Sequence, residues 1–270
     1  MATILGKAYN RARRAAAAAG KNAYRAARAA EDKVWRRVAP RCANILEDNG
    51  KAGLAVALAF RSCARSCTRA CCKECYAAAR VARRPDIGVK AIANSKALEK
   101  APVLFGLAVA AEFRKRAPRA GALFLRWNSQ GDLTPKALRA IVTVARAGIV
   151  VHVFSRNVRC AAALWRFALR HGYPIIVLLS VDATSKAPVF AAAAAGARCA
   201  ALTSAAYPAP FVALDSAATV AFPIDGRPDN ITTVPTEFSA GACPCDMARR
   251  PFANSCATCL RDGMGCFMGM

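Results

Sequence analysis

Histidine is scarce in this sequence, which contains only His152 and His171. A catalytic metal site built from several histidines is therefore excluded. We expect His152 to be a core residue and His171 to be structural, at a helix end where a partly positive imidazole is favoured. The chain also has no glycine-rich phosphate-binding loop and no serine nucleophile elbow. P-loop nucleotide hydrolases and α/β-hydrolases are excluded as well, so any chemistry must come from other residue types.

Long apolar runs are also missing, because no stretch of about 18 residues is apolar enough to span a bilayer. The longest candidates, Ala52–Phe60 and Val103–Ala111, are short and flanked by charge. Residues 1–30 contain seven basic and no acidic residues, and they lack the apolar core of a secretion signal. We therefore expect no membrane partner and a cytoplasmic location, which is the host cell interior for a viral protein. An organelle transit peptide is the alternative for the N-terminus.

Acidic residues are few, since 16 Asp and Glu stand against 40 Lys and Arg, a formal net charge of +24. The excess is largest in residues 1–84, which carry 19 basic and five acidic residues, a net charge of +14. Such a surface attracts polyanions; nucleic acid is the usual one, and an acidic membrane surface is the second choice. We expect nucleic acid as a partner of the basic N-terminal region. A composition biased towards Arg and Ala is the alternative explanation.

Aromatic residues make up only 7% of the chain, whereas 56% is hydrophobic and much of that is alanine. The core is therefore built mainly from Ala, Val, Leu and Ile, in a chain of 270 residues that is long enough to bury one. Composition indicates a basic Ala/Arg-rich helical region at 1–60, a cysteine motif with a β/α core at 61–240, and a cysteine-rich metal-binding tail at 241–270. Residues 1–84 are predicted to be helical, because Ala, Arg and Lys are strong helix formers.

Apolar strands alternate with helices beyond residue 120, a pattern that is typical of a parallel sheet covered by helices. The predicted strands span 122–127, 149–154, 175–180 and 198–203, with one or two edge strands within 212–224, and the predicted helices span 135–147, 158–171 and 187–195. These units are too few for a complete eight-unit barrel. The predicted fold class is α/β, a partial (β/α) barrel or an open parallel sheet. In either case the loops after the strands form the working face.

Thirteen cysteines are present, an odd number that does not suit a secreted disulfide framework. The nearby Arg and Lys side chains are expected to lower the thiol pKa values and so to favour metal-binding thiolates. The predicted ligands of the first group are Cys63, Cys67, Cys72 and Cys75. Which of Cys63, Cys67 and Cys71 completes the C-x2-C pair is left open by the spacing. The competing interpretation is a helix that buries inert cysteines on one face, because four of them recur every four residues.

A second group of cysteines lies in the tail, where little apolar sequence surrounds it, so that the tail needs a metal to fold. Its spacing suits tetrahedral zinc and an iron–sulfur cluster equally well. The predicted metal ligands there are Cys243, Cys245, Cys256, Cys259 and Cys266. Cys160 and Cys199 lie within a predicted helix and a predicted strand, and we expect them to be core residues.

Several short motifs occur in a defined order across residues 63–266. Cys72-Lys-Glu-Cys75 is followed by Tyr76-Ala77, then by Gly131-Asp132, Phe154-Ser155-Arg156 and Ser180-Val181-Asp182, and last by Cys243-Pro244 with the other tail cysteines. The C-x2-C-Tyr-Ala segment resembles the end of the cluster motif in several radical S-adenosylmethionine families. The complete order of motifs resembles the phage gene product 88 family. The sequence departs from the usual C-x3-C-x2-C motif by one extra residue between Cys67 and Cys72, and by Glu74 in place of an aromatic residue.

The resemblance implies a four-iron cluster ligated by three cysteines, with the open iron chelating the methionine end of S-adenosylmethionine. It also implies that Ser129, Gly131 and Asp132 accept hydrogen bonds from the ammonium group. Ser180 and Asp182 would then meet the ribose hydroxyls. The alternative for the two aspartates is that each caps the helix that follows it.

The function implied is an iron–sulfur protein of phage or mobile-element type that resembles radical S-adenosylmethionine enzymes and acts on or near nucleic acid. Its cofactors are expected to be a 4Fe–4S cluster and S-adenosylmethionine, with zinc as the alternative in the tail. Two other classes stay open: a non-catalytic basic nucleic-acid-binding protein with structural zinc, and a basic packaging protein whose cysteines are incidental. The sequence names neither the substrate nor the oligomeric state.

Overall fold

The computed structural model describes residues 2–49, 53–63, 67–73, 75–182, 184–194, 197–203 and 219–223. Within them, seven strands form one sheet whose spatial order follows the chain. The strands are β1 (Leu46–Asn49), β2 (Gly53–Ala57), β3 (Leu125–Gln130), β4 (Val151–Ser155), β5 (Ile175–Val181), β6 (Cys199–Thr203) and β7 (Thr219–Pro223). β1 pairs antiparallel to β2, and β2 to β7 are parallel neighbours. Among the described residues, no strand pairing closes the sheet into a barrel.

Helices precede the sheet and connect its parallel strands. They are α1 (Ala2–Ala18), α2 (Ala23–Val34), α3 (Arg69–Lys73), α4 (Tyr76–Arg83), α5 (Pro85–Lys100), α6 (Pro102–Ala120), α7 (Pro135–Arg146), α8 (Val158–His171) and α9 (Ala187–Ala194). Polar side chains start two of them, because Thr134 accepts a hydrogen bond from the N–H of Ala137 and Asn157 from that of Cys160. Gly172 ends α8 in the left-handed conformation. The predicted alternation of strands and helices after residue 120 is confirmed.

One core lies between the sheet and helices α5 to α9. Alternate strand residues point into it, as Leu125 and Trp127 do on β3 and Val151 and Val153 do on β4. The Trp127 ring meets Phe105 of α6 edge to face, with ring centroids 6.2 Å apart. All of these helices therefore cover the same face of the sheet.

The histidines and the two cysteines that the sequence predicts to be core or structural residues lie in the core or at a helix end. His152 is buried on the other face of the sheet, edge-on to Phe154 with ring centroids 4.7 Å apart. Burial, helped by two arginines, lowers its pKa to about 3, so it is neutral. Cys160 and Cys199 are buried, and His171 is the last residue of α8. The predictions for these residues are confirmed.

A second core joins the N-terminal helices to α4 and α5. Tyr9 of α1 is fully buried there and donates a hydrogen bond of 3.2 Å to the carbonyl of Ala27 in α2. Glycine is needed at position 88, because a Cβ there would lie 2.8 Å from Tyr9 Cζ and 2.9 Å from a methyl of Val81. The alanine-rich helices are therefore packed parts of the fold, and their small side chains let the helices approach closely.

The N-terminal region differs from the sequence prediction. The sequence predicts helix through residue 84, but residues 46–49 and 53–57 form the first two strands of the sheet. A fully apolar run such as Gly53–Ala57 shows neither helical nor strand periodicity, so its pairing with β3 decides its state. Helix α6 continues through Pro118, because a proline in the last turn removes only one hydrogen bond.

No helix among the described residues is long and apolar enough to cross a membrane. The predicted tail ligands lie outside the described residues: Cys243, Cys245, Cys256, Cys259 and Cys266. The predicted boundary at residue 240 lies outside them as well, so the tail stays a prediction from sequence.

Candidate functional site

The loop after β2 carries the first cysteine group to the carboxyl edge of the parallel strands. We call residues 63–75 the cysteine segment. Its Thr68 donates a hydrogen bond of 2.5 Å to Oδ2 of Asp182, which follows β5. The backbone N–H of Ala70 donates to the hydroxyl of Thr184 at 2.9 Å. Since the carboxyl ends of parallel strands share one edge of a sheet, the segment is attached to the edge where such sheets bind ligands.

An irregularity in β3 redirects the loop that follows this strand. The pairing with β2 shifts from Val56–Trp127 to Ala57–Gln130, and Asn128 has a positive φ of 61°. Residues of β3 are thus looped out of the ladder, as in a β-bulge. Bulges bend a strand and re-aim its side chains, so the end of β3 leaves the regular direction of the sheet.

Gly131 lets the redirected loop contact the turn that precedes Cys63. Its φ is +82°, and a Cβ there would lie 2.6 Å from Ser62 Oγ and 2.8 Å from Leu58 Cβ. The backbone N–H of Asp132 donates to the same Ser62 hydroxyl at 2.8 Å. Glycine is therefore required at this position both by the backbone conformation and by the lack of space.

Asp132 joins the ends of β3 and β4. The carboxylate accepts hydrogen bonds from the hydroxyl of Ser155 at 2.5 Å, from the N–H of Leu133 at 2.7 Å and from the N–H of Arg156 at 3.3 Å. The side chain that caps α7 is Thr134, which corrects the helix-cap alternative for Asp132. The buried carboxylate is thus part of the scaffold that holds the two strand ends together.

Asp182 connects the cysteine segment to the end of β5. Besides the bond from Thr68, its carboxylate accepts from Nη1 of Arg156 at 2.7 Å and from the N–H and hydroxyl of Thr184 at 2.8 and 2.9 Å. The residue is 1% exposed. Four donors leave this buried carboxylate well satisfied. Asp182 closes a turn ahead of α9, and it also holds the cysteine segment and Arg156 in place.

Arg156 is buried at the centre of this edge. Only 8% of its side chain is exposed, and Nη1 donates to Asp182 and, at 3.4 Å, to the carbonyl of Ser180. Burial opposes its charge, but Cys71 and Asp182 act in the other direction and its pKa is raised. The guanidinium therefore stays charged between the cysteine segment and the strand ends.

The predicted cofactor-binding residues do not all face the same way. The hydroxyl of Ser129 is buried, and it donates to Glu47 and, at 3.3 Å, to the carbonyl of Val56. It therefore faces β1. Ser180 is half-buried at the end of β5. The structure brings the remaining predicted residues to the edge that carries the cysteine segment: Gly131, Asp132, Ser180 and Asp182.

The cysteines of the segment are in two chemical states. Cys67 and Cys72 form a disulfide with their Cα atoms 6.2 Å apart, whereas Cys63, Cys71 and Cys75 are free thiols. This disulfide departs from the sequence analysis, which favours metal ligation over disulfides. The turn into α3 brings the two Cα atoms within disulfide range. Among the residues that the structure describes, no group of three or more His, Cys, Asp or Glu side chains is arranged to hold a metal ion.

The cysteine side chains also differ in their surroundings. Four of them pack against the second core, and these are the four ligands predicted for this group: Cys63, Cys67, Cys72 and Cys75. Cys71 instead lies near the guanidinium of Arg156. Four cysteines of the segment therefore pack against the second core, whereas Cys71 lies beside Arg156, and its charge also reaches Cys63 and Cys75.

Burial is the largest influence on the pKa values of the free thiols Cys63 and Cys75. It raises the pKa of Cys63 well above the usual value, and the charges of Asp132 and of neighbouring cysteines raise it further. Burial also raises the pKa of Cys75 to about 11. The prediction that nearby Arg and Lys lower the thiol pKa values is wrong for these two, and Arg61 in fact stacks on Trp35 at 4.4 Å. The thiols of Cys63 and Cys75 are therefore neutral at neutral pH, and a bound cation would make thiolates of them.

A buried glutamate from the N-terminal helices anchors the start of the segment. Glu31 of α2 is fully buried and accepts hydrogen bonds from the N–H groups of Phe60 at 2.8 Å and Arg61 at 3.2 Å. Burial raises its pKa to about 8. Sequence reasoning missed this role, and also those of Ser62 and Thr68. An acidic pair, Glu31 and Asp32, within a basic helix is the only signal that the sequence offers.

The N-terminal helices carry a row of exposed cations. Lys7, Arg11 and Arg14 recur on one face of α1, and Lys21 and Arg25 follow them. None of these five forms an ion pair with a residue that the structure describes. Their charges therefore stay available to an anionic partner.

A family model described as Gene product 88 matches residues 10–262 of the chain. The match includes the N-terminal helices, the sheet and the cysteine segment. Comparison with curated proteins gave no match, and comparison with solved structures gave none either.

Proposed function

The chain belongs to the Gene product 88 family, and from this membership and the geometry of the site we propose that it is an iron–sulfur protein resembling radical S-adenosylmethionine enzymes. One observation carries the proposal. The cysteine segment follows the first parallel strand and is bonded through Thr68 to Asp182 at the end of β5. A cluster held by this segment would lie where the loops after the parallel strands converge, which is the usual ligand edge of such sheets.

We also propose that the sheet is part of a (β/α) barrel. Open doubly wound sheets reverse their strand order at a switch point, whereas β2 to β7 continue in one direction. Helices α5 to α9 share one core on a single face of the sheet. On β3, Arg126, Asn128 and Gln130 each bury a polar atom without a hydrogen-bond partner in the described part of the chain. Such atoms are expected where a polar ligand binds.

The donor chemistry of the cysteine segment suits an iron–sulfur cluster, because soft thiolate ligands favour such clusters and zinc over hard cations. A cellular dithiol must first reduce the disulfide between Cys67 and Cys72 by thiol–disulfide exchange; the dithiol becomes a disulfide, and the two cysteines are released as thiols. Cys72 and Cys75 are then the C-x2-C pair of ligands, and Cys63, Cys67 or Cys71 supplies the third. When bound, the cluster supplies the electron that cleaves the sulfonium of S-adenosylmethionine.

The strand ends would hold S-adenosylmethionine. We propose that the ammonium group binds to the carbonyl of Gly131 and to the carboxylate of Asp132. Asp132 is close enough to Cys63, the first cysteine of the segment, for its charge to raise the pKa of that thiol. We assign the ribose hydroxyls to Ser180, which is half-buried, and to Asp182. Because Asp182 is already satisfied, a ribose hydroxyl must replace one of its present donors, of which the hydroxyl of Thr68 is one.

The metal content of anaerobically purified protein tests the proposal. We expect a brown protein that contains iron and acid-labile sulfide. Cys72→Ala and Cys75→Ala should each lower bound iron by about one cluster per chain. Cys160→Ala, a change in the core of α8, should leave the iron content unchanged. Unchanged iron in both ligand variants would remove the cysteine segment from the proposal.

A non-catalytic, basic nucleic-acid-binding protein with structural zinc is the second candidate. The exposed row of Lys7, Arg11 and Arg14 favours it. A colourless protein that contains zinc and binds nucleic acid would support this candidate against the first. For both candidates we propose the cytoplasm, inside the host cell for a phage protein, where free thiols stay reduced.

A further inference from the structure

A cavity of about 550 Å³ lies between the connection that leads into β1, strand β1 itself, α4 and the start of α5. Its volume is in the range of sites for small molecules. None of the described residues of the cysteine segment lines it. Its charged wall residues are six cations and three carboxylates, so the charge of the wall does not cancel.

Each carboxylate in the wall has an arginine of its own. The three ion pairs are Glu47–Arg80 at 2.8 Å, Asp48–Arg116 at 2.7 Å and Asp86–Arg84 at 2.9 Å. Because the two charges within each pair neutralise each other, the remaining wall cations determine which ligands the cavity attracts.

The remaining cations are Arg37, Arg41 and Lys90. Neither arginine forms an ion pair with a residue that the structure describes. Nζ of Lys90 donates to the carbonyl of Leu46 at 3.0 Å, which leaves other N–H donors of the ammonium group for a ligand. Burial lowers the pKa of Lys90, and a bound anion would offset that effect. Two guanidinium groups and an ammonium group around one cavity are typical of phosphate recognition.

One residue of the wall, Glu47, has a carboxylate oxygen that needs a hydrogen-bond donor. Oε2 of Glu47 is buried without a partner in the part of the chain that the structure describes, although Oε1 accepts from Ser129 and Arg80. The side chain of Glu47 is only 5% exposed. Buried polar atoms are normally hydrogen-bonded, so this oxygen suits the hydroxyl or amino group of a ligand.

We propose that this cavity binds an organic phosphate of nucleotide size. The phosphate contacts Arg37, Arg41 and Lys90, and a hydroxyl or amino group of the ligand donates to Oε2 of Glu47. A mononucleotide has both kinds of group at a size that suits the cavity. The site is separate from the cysteine segment and does not rest on the iron–sulfur proposal.

Calorimetric titration of the full chain with AMP, adenosine and inorganic phosphate tests this site. We expect AMP to bind, and adenosine and inorganic phosphate each to bind at least about tenfold more weakly, because each supplies only part of the contacts. Arg41→Gln and Lys90→Gln should each weaken AMP binding by about tenfold or more. Arg170→Gln removes the same charge from the exposed end of α8 and should leave AMP binding unchanged.

Three results would overturn the proposal. Inorganic phosphate that binds as tightly as AMP would reduce the cavity to a simple anion site. An equal loss in Arg170→Gln would assign AMP binding to the net charge of the protein. A single-stranded oligonucleotide that binds where AMP does not would mean that the cavity takes no free nucleotide. Should Lys90→Gln fail to fold, Arg41→Gln still decides, because Arg41 is exposed and bonded to no described residue.

Discussion

The hydroxyl of Thr68 lies 2.5 Å from Oδ2 of Asp182, and this bond joins residues that are 114 positions apart in the chain. Arg156 contacts the same oxygen at 2.7 Å. The shared carboxylate holds the cysteine segment against the ends of β4 and β5. A change at Asp182 therefore affects the position of the segment and the charge balance of Arg156 together.

We expect Asp182→Ala to lower the free energy of unfolding by about 3–5 kcal/mol, because it leaves the buried Arg156 without its counter-charge. Thr68→Val removes the hydrogen bond to Asp182 and the one that the hydroxyl accepts from the N–H of Cys71 at 3.1 Å, and we expect a smaller loss of about 1–3 kcal/mol. Urea denaturation measures both. Asp86→Asn, which breaks an exposed ion pair, is the control and should change little. An Asp182 variant as stable as this control would contradict the role given to the carboxylate.

Gly131→Ala should destabilise the protein more than Gly148→Ala. Both glycines have a positive φ, and an alanine in that conformation costs about 1–2 kcal/mol. A Cβ at Gly148 meets no atom within 4 Å, whereas a Cβ at Gly131 collides with Ser62 and Leu58. The difference between the two thermal unfolding curves therefore isolates the contact with the turn that precedes Cys63. Equal losses would show that this contact is easily relaxed.

Glu31 should make the stability pH-dependent. Its pKa rises from an ordinary value of 4.5 to about 8 on folding, so the folded state keeps the proton over this interval. The contribution of Glu31 to the free energy of unfolding is fully present below the ordinary pKa and is lost as the pH rises through about 8. The loss amounts to at most roughly 1.4 kcal/mol per pH unit. Glu31→Gln cannot ionise, so its stability lacks this dependence on pH. In urea denaturation from about pH 5 to about pH 9, the free energy of unfolding of the variant should therefore rise relative to that of the native protein. Parallel pH profiles would contradict this.

Nucleic-acid binding should depend on the N-terminal row of cations. Replacing Lys7, Arg11 and Arg14 with Gln should flatten the dependence of affinity on salt, by a slope of roughly 2–3 if all three contact phosphates. The matched control replaces three exposed arginines of α8 with Gln: Arg159, Arg166 and Arg170. It removes the same charge and should leave the slope unchanged. If the native protein, the N-terminal variant and the α8 control had equal slopes, the basic N-terminus would be a result of biased composition and would not contact nucleic acid.

The second half of the fold was predictable because its signals are local. A continuous apolar run at Ile175–Val181, a side-chain cap at Asn157 and a glycine at the end of α8 each indicate their element without help from distant residues. Strand β2 was not predictable in this way. Its five apolar residues fit helix and strand equally, and β3, some seventy residues later in the chain, provides the pairing that makes them a strand.

The sequence by itself determined which chemical groups reach the candidate site and in what order. Sulfur atoms follow the first parallel strand, and Asp132, Arg156 and Asp182 follow three later ones; because parallel strands end at one edge, this order brings them together. Only the tertiary structure decided what each group contacts. Arg156 is buried against Asp182, Ser129 faces Glu47, and burial raises the thiol pKa values that neighbouring cations were expected to lower. Side-chain direction and solvation depend on elements far apart in the chain, and no local pattern contains them.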